Sequence, residues 1–259
     1  MPEAFTITVI VPTCDRPGRL PGALASVLAQ TRAPDEILVV DDGAVPVEVG
    51  ALPAGVVLLR TRGRQGASFA RNLGANQALG SHLAFLDDDD RWEPDHLAEA
   101  EALARAGGDD LVLTAFAKVR ESPVGEQAVP EKVPPERLAP EDFFVRNPGL
   151  RGSNLFVRRT LFLDLGGFDL DLPSHNDLDL GIRLASVPGL RYRRNPRPRV
   201  RFHVHPDVRL STPGSPANLA GMRALLARHG TRMGPERVSA FRARCLALFG
   251  VDPGAERQP

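Results

Sequence analysis

The amino-acid sequence predicts an α/β fold with a doubly wound, mixed but mostly parallel sheet, flanked by helices and followed by a helical C-terminal tail. Apolar, β-branched segments at residues 6–11, 36–40 and 56–59 are typical of strands buried on both faces. Leucine and valine recur at helical spacing within residues 20–28. A strand, a helix and a second strand at this spacing imply right-handed crossovers in one open sheet.

Composition excludes several classes of protein. The chain has 259 residues, 42% hydrophobic and 25% charged, with a formal net charge of +0, so nothing global favours nucleic acid or an anionic membrane. Its two cysteines, Cys14 and Cys245, form neither a disulfide framework nor a zinc pattern. No apolar run approaches the roughly 20 residues of a membrane helix. We therefore expect a cytoplasmic protein without an integral membrane segment.

The remaining elements continue the alternation of helices and strands. Pro12 is expected to end the first strand, because proline has no N–H for a ladder. Further helices are predicted at 68–79, 95–106 and 160–165, and a strand at 110–119. Residues 121–140 contain five prolines and few apolar residues, which indicates an exposed loop, either a lid or a disordered insertion.

Two segments near the C-terminus leave alternatives open. The densely basic residues 191–201 are typical of a solvated edge strand, and the alternative is a docking patch for an anionic acceptor or carrier. Amphipathic helices are predicted at 217–229 and 235–249. Their apolar faces would pack on the body of the protein or on a second subunit, as in a homodimer.

Four consecutive aspartates at residues 87–90 follow a short predicted strand. Adjacent carboxylates repel each other, so they need a cation or hydrogen-bond donors beside a buried element. Oxygen ligands of this kind suit Mg²⁺ or Mn²⁺. The alternative is a solvated acidic turn that caps the helix beginning near residue 94, with Asp90 near its N-terminus.

Three loops should meet at one pocket. Residues 13–18, 41–43 and 87–90 all leave the carboxyl ends of predicted strands, where open α/β sheets bind ligands. Arg71 lies one turn into a helix preceded by glycines, where it can reach a phosphate or an acid, although a surface ion pair is the common alternative. His203 and His205 share a strand face, and one of them is a candidate third metal ligand.

Asp177 opens a predicted helix within residues 173–185. A carboxylate at this position is usually a cap, and the functional alternative is a general base. Asp179 and Arg183, four residues apart, can pair along the helix.

The order of these motifs resembles the family 2 glycosyltransferases from about residue 6 to residue 205. The segments that carry the resemblance are residues 9–16, 26–31, 36–43, 66–74, 85–94, 166–169 and 176–183. The resemblance implies a GT-A fold, a nucleotide-diphosphate sugar donor linked to UDP, dTDP or GDP, a divalent metal (Mn²⁺ or Mg²⁺), and inversion at the anomeric carbon.

The resemblance also implies roles for particular residues. Asp177 would be the catalytic base, and Asp89, with Asp87 near, would hold the metal. The position of His205 after the core makes it the candidate third ligand, with His203 as the alternative. Nucleotide-sugar contacts would come from Pro12, Cys14, Arg16, Asp41, Asp42, Arg71, Asp87 and Asp88, with Asp42 on the base and Asp88 on the ribose. The acceptor side would include Trp92, Ser153, Asn154 and Asp169.

The sequence thus favours an inverting, metal-dependent glycosyltransferase that transfers a sugar to a hydroxyl or amine. Residues 1–100 would bind the nucleotide sugar, 101–210 the acceptor, and 211–259 would be a helical extension. One alternative is a catalytically silent nucleotide-sugar-binding or assembly subunit. A nucleotidyltransferase is a third possibility, but the glycine-rich loop with a lysine or arginine is missing. The sugar, the base and the acceptor stay open.

Overall fold

A computed structural model describes residues 4–122, 125–204 and 215–255 of the chain, with residues 51 and 120–131 described by their backbone alone. The chain divides into two compact units. The first comprises Met1–Arg137, Gly149–Gly167 and Gly189–His205, and all strands of the described residues belong to it.

The first unit contains a mixed nine-stranded sheet. Its strand order is β3-β2-β1-β4-β8-β6-β9-β5, and β7 pairs with β6. The pairs β1–β2, β1–β4, β2–β3 and β6–β9 are parallel and contain most of the paired positions; the others are antiparallel. The strands are β1 (Ile7–Thr13), β2 (Glu36–Asp41), β3 (Val56–Arg60), β4 (His82–Phe85), β5 (Arg91–Trp92), β6 (Leu111–Ser122), β7 (Gly125–Lys132), β8 (Leu155–Arg158) and β9 (Tyr192–Val204).

Four helices accompany this sheet: α1 (Leu20–Leu28), α2 (Ala67–Gln77), α3 (His96–Gly107) and α4 (Arg159–Asp164). They confirm the predicted alternation to within a few residues at each end. The apolar faces of α1 and α3 share one buried cluster with the sheet, which burial of apolar area stabilises. Its members include Val9, Val11, Leu24, Val39, Leu97 and Val112.

The expectation that Pro12 ends the first strand is wrong, since β1 continues to Thr13 and Pro12 stands opposite Val40 of β2. Successive residues of a strand point their peptide groups to alternate neighbours. The Thr13 carbonyl faces β2, where it accepts from the Asp42 N–H at 2.8 Å, so the peptide nitrogen of Pro12 faces β4. Because β4 ends at Phe85, the missing N–H of Pro12 removes no hydrogen bond between strands.

The prediction of an irregular loop at residues 121–140 is also corrected in part. Strands β6 and β7 form an antiparallel hairpin that covers Gly125–Lys132, with Ser122 opposite Gly125. Among the residues that the structure describes, β7 pairs with β6 alone, and proline is tolerated in such an edge strand. Pro130 lies at the register shift of this hairpin, where it is paired with no residue of β6. Residues 133–139, after the hairpin, are free of regular helix and strand.

The second unit comprises Leu138–Pro148, Phe168–Pro188 and Pro206–Pro259 and contains the helices α5 (Asn176–Ala185) and α6 (Pro216–Phe249). Helix α6 is broken at Gly234, whose φ of 72° and ψ of 165° are not helical, directly before a proline. This break confirms the two predicted tail helices as two halves of one element. Among the described residues, every helix is too short or too polar to cross a bilayer.

Candidate functional site

Three carboxylates converge in the turn that follows β4. One oxygen from each of Asp87, Asp89 and Asp90 lies within 4.8 Å of the others. This geometry brings Asp87 and Asp89 together, as predicted, and adds Asp90, which the alternative interpretation of the acidic run placed near a helix N-terminus. Three hard oxygen donors at this spacing fit a divalent cation that prefers oxygen ligands.

Asp90 is the most deeply buried member of this cluster, with 1% of its surface exposed. Its carboxylate accepts hydrogen bonds from Ser153 Oγ at 2.5 Å and from His203 N at 2.9 Å. Burial, followed by the charges of Asp87 and Asp89, holds the pKa of Asp90 well above its usual range. A cation shared by the three acids would relieve this cost. Of the two candidate histidine ligands, His203 thus contributes its backbone N–H to Asp90, and His205 lies outside the described residues.

Two arginines contact the same turn. Arg71, on α2 and 7% exposed, donates to Asp87 Oδ1, which confirms that it reaches an acid from the helix start. Gly152 permits this contact, because a Cβ there would lie 3.1 Å from Arg71 Nε and 3.2 Å from Asp87 Oδ1. Arg16, after β1, places Nη1 3.2 Å from Asp88 Oδ1 and 3.1 Å from Asp89 Oδ2. The acids therefore meet two guanidinium groups that suit phosphate binding.

Asp88 joins the turn to the end of β1. Thr13 Oγ1 donates to Asp88 Oδ2 at 2.7 Å, and only 4% of the Asp88 surface is exposed. Burial raises the pKa of Asp88 to about 6, although the Thr13 hydrogen bond and the Arg16 charge act in the opposite direction. The loops after β1 and β4 thus meet, as the convergence at the strand ends predicted.

The loop after β2 completes this end of the sheet. Asp42 accepts from Thr61 Oγ1 at 2.5 Å and from the backbone N–H groups of Gln65 and Gly66 at 2.8 and 2.7 Å. These bonds fix the turn that enters α2. Asp41 is 1% exposed and accepts from Arg60 Nη1 and Val47 N, each at 2.8 Å. Both acids therefore organise the loop, and their contact with a nucleotide stays a prediction.

Pro12 and Cys14 border the same loops. Pro12 is buried in β1, whereas Cys14 is exposed, and its thiol donates to the Asp42 carbonyl at 3.4 Å. Partial burial and the neighbouring charge of Asp15 raise the pKa of the Cys14 thiol. The thiol is therefore neutral at pH 7.

Three of the residues predicted for the acceptor side lie together in the first unit. Trp92 is 4% exposed and donates from Nε1 to the Ser153 carbonyl at 2.8 Å. Asn154 is fully buried, and its side-chain amide donates to the carbonyls of Thr114 and Gly149 at 2.6 and 2.7 Å. These contacts hold the turn Gly152–Asn154 beside the acids. Asp169 belongs to the second unit, and the acceptor role of all these residues stays a prediction.

Asp177 lies in the first turn of α5, in the second unit, and is partly exposed. The predicted pair on this helix is confirmed, because Arg183 Nη2 lies 2.6 Å from Asp179 Oδ2. His229 Nε2 also contacts Asp179 Oδ1, at 2.8 Å. No local pattern could have revealed this contact, since it joins residues 50 positions apart. The role of Asp177 as a base stays a prediction.

The arginine-rich segment forms strand β9, and its charges are largely paired. Arg193 lies 2.6 Å from Asp109, Arg201 lies 2.6 Å from Glu93, and Arg199 lies 2.6 Å from Glu99. The prediction of an edge strand is wrong, because β9 lies between β6 and β5 in the sheet. Its paired charges still favour a solvated strand over a docking patch for an anion.

A mixed sheet with a carboxylate cluster and arginines beyond its strand ends agrees with the GT-A fold that the motif resemblance implies. The model of a family described as "Glycosyl transferase family 2" matches residues 8–166, more than half of the sequence. The chain belongs to glycosyl transferase family 2, as its motifs predicted.

Relatives and solved structures agree with this assignment. An "uncharacterized glycosyltransferase" of Haemophilus influenzae is 28% identical over 186 residues, 70% of this chain and 63% of that protein. The succinoglycan biosynthesis protein ExoW of Rhizobium meliloti is 39% identical over 106 residues, 36% of this chain and 32% of that protein. The chain thus spans less than two thirds of the length of these relatives.

The crystal structure of S. aureus TarS 1-349 in complex with UDP-GlcNAc is similar in fold, with a TM-score of 0.68 and 18% identity. The match covers 94% of this chain and 73% of TarS 1-349. This likeness confirms the predicted GT-A fold.

Proposed function

We propose that the protein is an inverting, metal-dependent glycosyltransferase that moves a sugar from a nucleotide-diphosphate donor to an acceptor hydroxyl or amine. The observation that carries the proposal is the convergence of Asp87, Asp89 and Asp90 in a chain of this family. Residues 1–100 would bind the donor, and residues 101–210 would bind the acceptor. The resident cation would be Mn²⁺ or Mg²⁺, held by the three aspartates.

Side chains around this cluster have the chemistry for a nucleotide diphosphate. Arg16 and Arg71 offer guanidinium groups to phosphate oxygens, and both are already oriented by aspartates. Asp88 is held by Thr13 and would accept from a ribose hydroxyl. Asp42 fixes the turn into α2 and would keep the base side of the pocket in place, with Cys14 and Pro12 beside it.

Charge development explains why a cation suits this reaction. When the sugar bond breaks, negative charge gathers on the leaving diphosphate, and a bound divalent cation would neutralise it there. The leaving group then needs no protonated carboxylic acid, in contrast to the carboxyl pair of glycoside hydrolysis.

Asp177 would act as the general base. Its carboxylate would take the proton of the acceptor hydroxyl while that oxygen bonds to the anomeric carbon and the bond to the diphosphate breaks. Attack opposite the leaving group inverts the anomeric configuration. The resemblance of residues 176–183 to the family motif supports this role, together with the place of Asp177 in the first turn of α5.

UDP is the first nucleotide to test, because a protein of the same fold binds UDP-GlcNAc. Isothermal titration calorimetry with UDP, dTDP and GDP, each with Mn²⁺ and with EDTA, would measure binding to the wild type and to Asp89→Ala. We expect one nucleotide to bind with micromolar affinity in the presence of Mn²⁺. EDTA removes the cation, and Asp89→Ala removes one of its proposed ligands. Each should therefore weaken that binding at least about 10-fold.

Asp164→Ala is the matched control, since this aspartate is exposed at the end of α4 and lies in the same unit. The control should bind like the wild type. If no nucleotide binds with or without metal, the transferase proposal fails. Metal-independent binding that survives in Asp89→Ala would refute the assignment of the aspartates.

A further inference from the structure

Asp179 of α5 has no exposed surface and is surrounded by basic groups. Arg183 donates from Nε to Oδ2 at 2.8 Å, and His229 of α6 contacts Oδ1 at 2.8 Å. Removing one partner of such a buried group leaves it without compensation, which is costly. Helices α5 and α6 are therefore joined at this acid inside the second unit.

The same turn of α6 reaches a second motif residue. Arg228 pairs with Asp169, and its Nη1 lies 3.8 Å from Asp179 Oδ1. Asp169 ends the segment 166–169, and Asp179 lies in the segment 176–183. Arg228 and His229, which are neighbours on α6, therefore contact one carboxylate from each of these two segments.

A close approach fixes α6 beside the residues that enter α5. A Cβ at Gly221 would lie 2.2 Å from Ser174 Oγ and 2.5 Å from the Ser174 carbonyl oxygen. Ser174 Oγ in turn contacts the carbonyls of Ala217 and Asn218, at 3.2 and 3.3 Å. Only a glycine at position 221 lets the helix approach this closely.

The second half of α6 contacts the same entry. His175, which has a φ of 63°, directly precedes α5. Its ring packs edge-on against those of Phe241 and Phe249, with centroid distances of 6.3 and 6.0 Å. Both halves of α6 therefore contact the residues that lead into α5.

We propose that Gly221 and His229 are positioning residues that hold the first turn of α5, and with it Asp177, in the orientation the transfer needs. This inference rests on the proposed function, because it takes Asp177 as the base. A base displaced by about 1 Å can lose roughly 100-fold in rate, so such support has a catalytic effect.

Hydrogen exchange measures the support directly. The amides of residues 176–180 would be followed by mass spectrometry in the wild type, Gly221→Ala and Gly230→Ala. Both changes replace a glycine of α6 by a better helix former. A Cβ at Gly230 meets nothing within 4 Å, so Gly230→Ala is the matched control. We expect exchange at least about 10-fold faster in Gly221→Ala and unchanged in Gly230→Ala, because only the former separates α6 from Ser174.

Substitutions at His229 separate positioning from bulk stability. His229→Gln keeps a donor near the position of Nε2, whereas His229→Leu leaves the Asp179 carboxylate short of one partner. With Mn²⁺ and UDP-GlcNAc, turnover measured as UDP release should fall about 10- to 100-fold in His229→Leu and recover substantially in His229→Gln. The donor KM should change less than about 2-fold, since the nucleotide contacts belong to the first unit.

The outcomes distinguish this inference from the proposed function. If the wild type neither binds a nucleotide nor releases UDP, the proposed function fails, and the exchange data still decide whether α6 supports α5. Hydrogen exchange of residues 176–180 would also be measured in His229→Leu. If the amides exchange at the wild-type rate in both Gly221→Ala and His229→Leu, the inference is overturned. Faster exchange with unchanged turnover would overturn the positioning role. If Gly221→Ala does not fold, the two His229 variants decide alone.

Discussion

Ser153 links two members of the carboxylate cluster. Its hydroxyl donates to Asp90 Oδ2 at 2.5 Å and accepts from the backbone N–H of Asp87 at 3.1 Å, and the residue is 1% exposed. One buried hydroxyl therefore sets the separation between a carboxylate and the start of the acidic turn. Residues that orient metal ligands in this way commonly affect affinity about 10- to 100-fold.

Replacing Ser153 by alanine should weaken the binding of Mn²⁺ about 10-fold and lower the free energy of unfolding by about 1–3 kcal/mol, because Asp90 and the Asp87 amide each lose a buried partner. Electron paramagnetic resonance of free Mn²⁺ would measure affinity, and urea denaturation would measure stability.

The control for this change is Ser26→Ala. The Ser26 hydroxyl also accepts a backbone N–H, that of Trp92 at 3.2 Å, but it contacts none of the four aspartates. This control should lose stability and keep its Mn²⁺ affinity. Equal affinities in wild type and Ser153→Ala would show that Ser153 does not set the cluster.

Local patterns revealed only part of the site. Asp87 and Asp89 could be predicted, because four acids in succession are visible in the sequence. The contacts that hold Asp90 in the cluster could not be predicted, because its partners Ser153 and His203 are 63 and 113 residues away. The pair between Asp179 and Arg183 follows from helical spacing, whereas the His229 contact depends on how α6 packs.

Strand β9 and helix α3 are joined through Glu99. This carboxylate accepts from Arg199 Nη2 at 2.6 Å, from Asn195 Nδ2 at 2.8 Å and from Arg197 Nη1 at 2.9 Å. These hydrogen bonds, first of all that from Arg199, lower the pKa of Glu99 to about 2. One acid of α3 therefore binds three side chains of β9.

Replacing Glu99 by glutamine should lower the free energy of unfolding by about 1–2 kcal/mol at pH 7, after allowance for solvent screening. A carboxyl whose pKa is depressed in the folded state contributes stability above its unfolded pKa of 4.5 and loses it as the pH falls toward about 2. The difference between variant and wild type should therefore shrink below pH 4.5.

Urea denaturation between pH 3 and 8 would measure this difference. Glu136→Gln is the control, because the Glu136 side chain is 82% exposed and lies 3.9 Å from Arg194. It should change stability very little. A Glu99→Gln difference that stays constant with pH would contradict the role assigned to the carboxylate.

The buried strands and amphipathic helices could be predicted because their hydrophobic period is local. The hairpin of β6 and β7 could not, since a polar, proline-containing edge strand resembles a loop in sequence. The end of β1 was misplaced for a related reason, because whether Pro12 loses a hydrogen bond depends on where β4 stops.

The two units of the chain carry different parts of the proposed reaction. The family match at residues 8–166 includes the carboxylate cluster, whereas Asp177 and α6 lie beyond it. We propose that these parts serve one reaction, in which the aspartate cluster holds the donor and Asp177 activates the acceptor. Binding and turnover should then respond to different substitutions.

Metal-dependent release of UDP from UDP-GlcNAc, measured over a panel of hydroxyl and amine acceptors, tests this claim most directly. We expect Asp177→Asn to bind UDP with Mn²⁺ like the wild type but to lose at least about 100-fold in turnover, because the base is removed. Turnover in Asp177→Asn equal to that of the wild type would contradict the role of Asp177 as the base. So would a wild type that binds the donor tightly and releases UDP with none of the acceptors, as expected of a silent binding subunit.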